Sequence, residues 1–215
     1  MKLHRAIPFF LFITLFACAG TRHGQAPSTP ASELDSDEIA VMAVVLDAAY
    51  AHATPGWVMV ATRTATFKCN PPSNIGLDVG GCDGMRDVTE TAEERLAKVR
   101  KEIPGVPTDS VADLIRKSQE STILPGPLPV PVKQVMHSPD KRTDWKFGRN
   151  PSFAAYFSRV GFDSVRARAL IYLGTISWTD QSKSMGQYLY LEKQEGAWTI
   201  KDHVRVWELI TAPRT

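Results

Sequence analysis

The chain has 215 residues, 43% of them hydrophobic and 22% charged, the usage of an ordinary globular protein. It carries 25 Lys and Arg against 23 Asp and Glu. Lys2 and Arg5 are the only such charges before residue 18, so the rest is formally neutral. That balance gives no support to an electrostatic grip on nucleic acid or to polybasic contact with lipid. Composition also excludes long disorder, collagen-like repeats and coiled coils. The length suffices for one good core and not for two large domains.

The start of the chain reads as an address. Met1-Lys-Leu-His-Arg5 is a short basic opening, and Ile7 to Ala17 is apolar. The run suits the core of a signal peptide and is too short for a bilayer, which needs ~20 residues. It closes on Leu15-Phe16-Ala17-Cys18, which resembles the bacterial lipoprotein box: an aliphatic residue, a small residue, then the cysteine that is acylated. The other reading is a plain secretory signal followed by a coincidental cysteine. The resemblance implies a signal peptide over 1–17, lipid on Cys18 and a chain held to a membrane by acyl groups worth ~0.8 kcal/mol per buried CH₂. Ala19 stands where an inner-membrane protein of this kind commonly has Asp. In a two-membrane envelope this implies the outer membrane, facing the periplasm. Residues 18–36, rich in Gly, Ser, Thr and Pro, form the lipid attachment and a flexible tether. Residues 37–210 are expected to fold as one domain.

With Cys18 lipidated, Cys69 and Cys82 remain. An exported chain with one even pair suggests a disulfide. The turn-rich stretch between them could bring its ends together, and closing it would stabilise the fold by roughly 3 kcal/mol in the chain-entropy picture. Free thiols and a reactive pair are the alternatives. No zinc-like or CxxC spacing is present, and Asp78, Asp83 and Asp87 lack the alternation of a calcium loop. No metal or cofactor is expected.

After the tether, Ile39, Met42, Ala43, Leu46 and Tyr50 recur on one face of an amphipathic helix. Asp35 with Glu38 reads as its capping box. Trp57 to Thr66 reads as a strand. Thr91-Ala-Glu-Glu94 opens a charged helix that Pro104-Gly105 stops, and Thr108-Asp109 caps a third helix with Val111, Leu114, Ile115 and Ser118 on one side. Pro125-Gly-Pro-Leu-Pro-Val-Pro131 favours an extended backbone and forbids a central strand. It is either a stiff connector or a docking ligand; no strict P-x-x-P spacing occurs.

From Ser152 the period changes to two. Phe153–Phe162, Arg166–Trp178, Met185–Gln194 and Ala197–Leu209 read as an antiparallel meander. Arg166–Trp178 is apolar on both sides, as an interior strand would be. Met185, Leu189 and Leu191 share one face of their strand, and Trp198, Ile200, Val204 and Val206 share one face of the next; these should meet the helices. The opposite face would carry Tyr188 and Tyr190 beside Lys201, His203, Arg205 and Trp207. Aromatics beside cations suit a polar ligand or a protein surface, although a merely solvated face has the same composition.

Catalytic motifs are scarce. No G-x-S-x-G, H-E-x-x-H, P-loop or G-x-G-x-x-G occurs. Ser138-Pro-Asp-Lys141 matches S-x-x-K, without the companion S-D-N and K-T-G motifs of penicillin-binding enzymes. No catalytic residue is assigned.

The stretches Phe157-Ser-Arg-Val-Gly-Phe162, Ala169-Leu-Ile-Tyr-Leu173, Gly186-Gln-Tyr-Leu-Tyr-Leu191 and Gly196-Ala-Trp198 through Trp207 resemble a family of bacterial exported lipoprotein domains with no assigned activity. A helix followed by a curved sheet ending in Gly-x-Trp also resembles the nuclear-transport-factor-2-like superfold, which hosts enzymes and binding modules alike. The expected fold is α+β, with N-terminal helices packed on a curved antiparallel sheet of four or five strands. The expected function is a lipid-anchored, non-catalytic module that binds a protein or envelope component, with candidate face Tyr188, Tyr190, Lys201, His203 and Arg205. The alternative is a small exported hydrolase whose site assembles from scattered Asp, His and Ser.

Overall fold

Helix α1, Ser36–Tyr50, opens the part of the chain that the computed structural model describes: residues 33–51, 57–66, 92–138, 151–177, 179–180 and 183–208. Its start follows the expected capping box. The Glu38 amide donates to Asp35 Oδ1 (2.9 Å) and the Asp35 amide donates to Glu38 Oε2 (3.3 Å), which satisfies two of the helix's orphan donors. Val41, Met42, Val45 and Leu46 are buried.

Two more helices follow, α2 over Ala92–Glu102 and α3 over Thr108–Lys117. The stop after α2 is the Pro104-Gly105 turn, as the sequence indicates. Thr108 does not cap α3. Pro107 is its N-cap and no side chain caps it. Asp109 instead reaches across to accept from the Ser164 amide (2.8 Å).

Among the described residues, seven strands form one sheet: β1 (Val58–Ala61), β2 (Gln134–His137), β3 (Phe153–Phe157), β4 (Gly161–Phe162), β5 (Arg168–Ser177), β6 (Met185–Gln194) and β7 (Ala197–Glu208). Their order is β2-β1-β3-β5-β6-β7, with β4 also paired to β5. The C-terminal meander is antiparallel as expected, and β5 is its buried interior strand. The sheet exceeds four or five strands and is mixed, because β1 pairs in parallel with both β2 and β3. Parallel partners are joined by long connections with no tight turn to announce them, and β1 and β2 are only 4 residues each.

Helices cover both faces of the sheet. On one, α1 packs over Val58, Val60, Ala155, Phe157, Ile171, Leu173, Leu189 and Leu191. On the other, Leu96, Val99, Ile103, Val111 and Leu114 of α2, its C-terminal turn and α3 pack over Met59, Ala154, Tyr156, Leu170, Tyr172, Tyr188 and Tyr190. Alternate residues of each strand go to alternate cores, so β5 is apolar throughout because it has two cores to fill. Gly174 lies opposite Tyr156 in the ladder, and the Tyr156 ring occupies the space that a side chain at 174 would take. Substitution there displaces a fully buried aromatic.

The register of β7 changes partway along. Leu191 pairs with Ile200, whereas Tyr190 pairs with Asp202, leaving Lys201 as the extra residue of a β-bulge. Trp198 and Ile200 therefore face the α1 core, and Val204 faces the other core opposite Tyr188. The expectation that Trp198, Ile200, Val204 and Val206 share a face fails at this bulge, since one extra residue inverts the alternation beyond it.

The proline-rich segment connects α3 to β2. Leu124 and Leu128 enter the α1 core. Gln134 clasps the segment, accepting from the Leu128 amide (2.9 Å) and donating to the Leu128 carbonyl (2.7 Å). It leads into an edge strand, as proline demands.

Candidate functional site

The five residues of the expected binding face do not come together. Tyr188 and Tyr190 are 0% and 4% exposed and belong to the core beneath α2 and α3. Register sets Tyr188 against Val204 and Tyr190 against Asp202, while His203 pairs with Leu189 and Arg205 with Gln187 on the opposite side. Lys201, His203 and Arg205 are exposed on β7. The tyrosines instead form a buried ladder: Tyr172 lies with ring centroids 5.2 Å from Tyr188 and 6.1 Å from Tyr156. Burial pushes the Tyr156 phenol above its ordinary range. Tyr190 donates to Glu192 (2.8 Å); burial, then that carboxylate, push its pKa up to about 12.

The densest polar arrangement lies at the N-terminus of α1 and was not anticipated from sequence. Glu38 (0% exposed) and Arg159 (3% exposed) form a buried, bidentate pair. Arg159 Nε donates to Oε1 (2.8 Å) and Nη2 donates to Oε2 (2.7 Å). The Val160 amide also donates to Oε1 (3.2 Å), and the Asp35 amide to Oε2. Each carboxylate oxygen thus accepts two hydrogen bonds, about its full capacity. Arg159 Nη1 donates to Thr122 Oγ1 (2.8 Å), and the Thr122 amide donates to Thr64 Oγ1 (2.8 Å). A carboxylate so occupied has no lone pair left for a further partner. Its geometry is that of a lock between α1 and the β3–β4 connection.

Every residue of Ser158-Arg-Val-Gly-Phe162 has such a structural task. Ser158 Oγ accepts from the Tyr172 amide (2.9 Å) and donates to the Arg159 carbonyl (2.7 Å). The Val160 carbonyl accepts from Lys117 Nζ (3.0 Å). Gly161 lies directly against the α3 backbone at Ser110 and Leu114, where a side chain would collide. Phe162 stacks near Trp198 (5.6 Å), with Lys117 Nζ 4.8 Å and the Arg166 guanidinium 4.2 Å from its ring.

A second ring of charges surrounds this lock. Arg166 donates to Asp35 (2.8 Å) and Asp37 (3.2 Å), and Lys193 donates to Asp37 (2.9 Å). Burial would raise the Asp35 carboxyl, but the Glu38 amide and the Arg166 guanidinium outweigh it and hold it below the ordinary range. The Lys193 hydrogen bond, against burial and with help from Arg166, lowers Asp37. Asp113 is also lowered: burial opposes, and the Phe162 amide, Lys117 and Arg116 prevail.

Cys18, Cys69 and Cys82 lie outside the described residues, as do residues 139–141 of the S-x-x-K match. Among the described histidines, His137 is buried at the end of β2 and His203 is exposed on β7. Among the described residues, no group of three or more His, Cys, Asp or Glu side chains is placed to hold a metal, and no helix is long and apolar enough to cross a membrane.

Comparisons with protein-family models, curated proteins and solved structures find no match to this chain. The fold itself defines the class: the described residues form an α+β domain with a mixed seven-stranded sheet covered by helices on both faces.

Proposed function

We propose that this chain is a lipid-anchored protein of a bacterial envelope whose folded domain binds a protein or envelope component rather than turning over a substrate. The observation that carries the anchoring is the order of residues at the N-terminus: basic, apolar, small, then Cys18. Acyl groups on Cys18 would hold the chain to the membrane, and Ala19 favours the outer membrane, facing the periplasm. The binding role is supported by how the domain uses its charged groups. Glu38, Asp35, Asp37 and Asp113 face cations or backbone amides that join α1 and α3 to the sheet. They build the scaffold, and recognition falls to the surface.

Metabolic labelling with palmitate tests the anchor. Label should enter the wild-type chain and a Cys69→Ser variant, and vanish in Cys18→Ser with the precursor left uncleaved. Incorporation that survives Cys18→Ser overturns the assignment.

A further inference from the structure

The sheet ends on β7, and the outer edge of that strand is guarded in three ways. Among the described residues, β7 pairs with β6 alone. A 12-residue strand in that position would ordinarily be an open template for a further strand. Its ladder, however, breaks twice. Lys201 is the extra residue between the pairs Leu191–Ile200 and Tyr190–Asp202, and Val206 is the extra residue between Gln187–Arg205 and Gly186–Trp207. The regular runs of β7 are therefore only 197–200, 202–205 and 207–208. Each bulge bends the strand and interrupts the row of amides and carbonyls that an added strand would need.

The second guard is a hydrogen bond within the strand. In an antiparallel pair, every second residue turns its amide away from the partner strand. The His203 amide donates to the carboxylate of its own neighbour, Asp202 Oδ1 (2.8 Å), at an exposed position. That acceptor holds the place that a carbonyl of an added strand would take. Charge is the third guard. His203 and Arg205 lie on one side of the sheet, paired with Leu189 and Gln187, and both are exposed. Residues facing each other across a ladder share a side, so two copies pairing antiparallel about this run would set these basic side chains against their own copies or each other. Like charges so placed are destabilising. We propose that Asp202, with the bulges at Lys201 and Val206, is an intramolecular block that keeps β7 from pairing with β7 of a second copy of this chain. The block goes beyond the binding reading above and is independent both of it and of lipid on Cys18.

The test follows self-association of the full-length chain in density-matched detergent by sedimentation equilibrium, with amide hydrogen exchange read along β7. Wild type should stay monomeric. Asp202→Ala frees the edge amide. It should speed exchange at His203 in the dilute monomer and raise the self-association constant about tenfold, the worth of a recovered hydrogen bond. Deleting Lys201 as well removes one bulge, and should strengthen association further and slow exchange at His203 once the dimer forms. Asp202→Asn keeps a carbonyl acceptor and should remain monomeric. Urea unfolding shows which variants keep their fold, and the two substitutions at exposed Asp202 carry the test alone if the deletion does not fold. Asp202→Ala that associates no more tightly than wild type overturns the block. So does association that leaves exchange at His203 unslowed, and so does a wild-type dimer already protected there.

Discussion

Glu38 and Arg159 lie 121 positions apart in the chain and meet as a buried fork-to-fork ion pair, joining the first turn of α1 to the connection between β3 and β4. Removing one member of such a pair leaves the other charge buried and uncompensated, which costs more than the pair itself contributes. Glu38→Gln should therefore lower stability by about 3 kcal/mol, read as a reduced urea midpoint with an unchanged slope. Combined with Arg159→Met, the loss should fall well short of the sum of the two single losses. Strict additivity would show that the two side chains are not coupled.

The carboxyls around this pair predict acid sensitivity. Asp35, Asp37 and Asp113 are held below their ordinary range in the folded chain. A group of this kind stabilises the fold in full above its unfolded pKa of ~3.9, and the contribution disappears as pH falls through the folded value. Tm should be flat from about pH 7 to 5 and decline below about pH 4. Arg166→Gln should lower Tm near neutrality and leave it nearly unchanged at the acid end, narrowing the difference. An equal loss at both ends would refute the linkage.

Tyr188 and His203 make opposite predictions although both were candidates for one binding face. Tyr188→Ala empties a fully buried aromatic position and should cost about 3–5 kcal/mol. His203→Ala, at an exposed position, should change stability by no more than about 0.5 kcal/mol. Urea unfolding of the two variants side by side distinguishes a core tyrosine from a surface one.

Gly161 should tolerate no side chain. A Cβ there would meet the α3 backbone and the Leu114 Cβ at 2.6 Å, and the neighbouring atoms are not the far end of a flexible side chain. Gly161→Ala should push α3 off the sheet at a cost of about 1–3 kcal/mol. Gly126, with no atom near its Cβ position, is the control, and Gly126→Ala should be close to neutral. Equal effects at the two glycines would contradict the packing.

If the chain is exported as proposed, Cys69 and Cys82 should be bridged, since an even pair of cysteines in an oxidising compartment favours a disulfide. Mass spectrometry of unreduced peptides should find the linked pair. Two freely alkylated thiols in protein isolated under oxidising conditions would exclude it.

Local patterns were legible in the sequence because they need only near neighbours. The capping box of α1 involves residues three apart, and the strands of the meander show in a period of two. So does the buried interior position of β5, whose run is apolar on both sides. Which face each side chain would take was not legible past Ile200. Lys201 reads as one more alternating residue, and only its lack of a partner on β6 reveals the bulge that sends Val204 to the other core. That inversion takes His203 and Arg205 away from Tyr188 and Tyr190, and the tyrosines' own face is a second core because helices cover both sides of the sheet.

By itself, the sequence determined the start of α1, the antiparallel meander and the residues that carry the expected lipid address. Tertiary structure decided the parallel pairing of β1, the assignment of tyrosines and cations to opposite faces, and the choice of Arg159 as partner to Glu38. The physical reason is range. Caps and alternation arise from backbone geometry within a few residues, whereas register and buried charge pairing depend on which distant segments the two cores bring together.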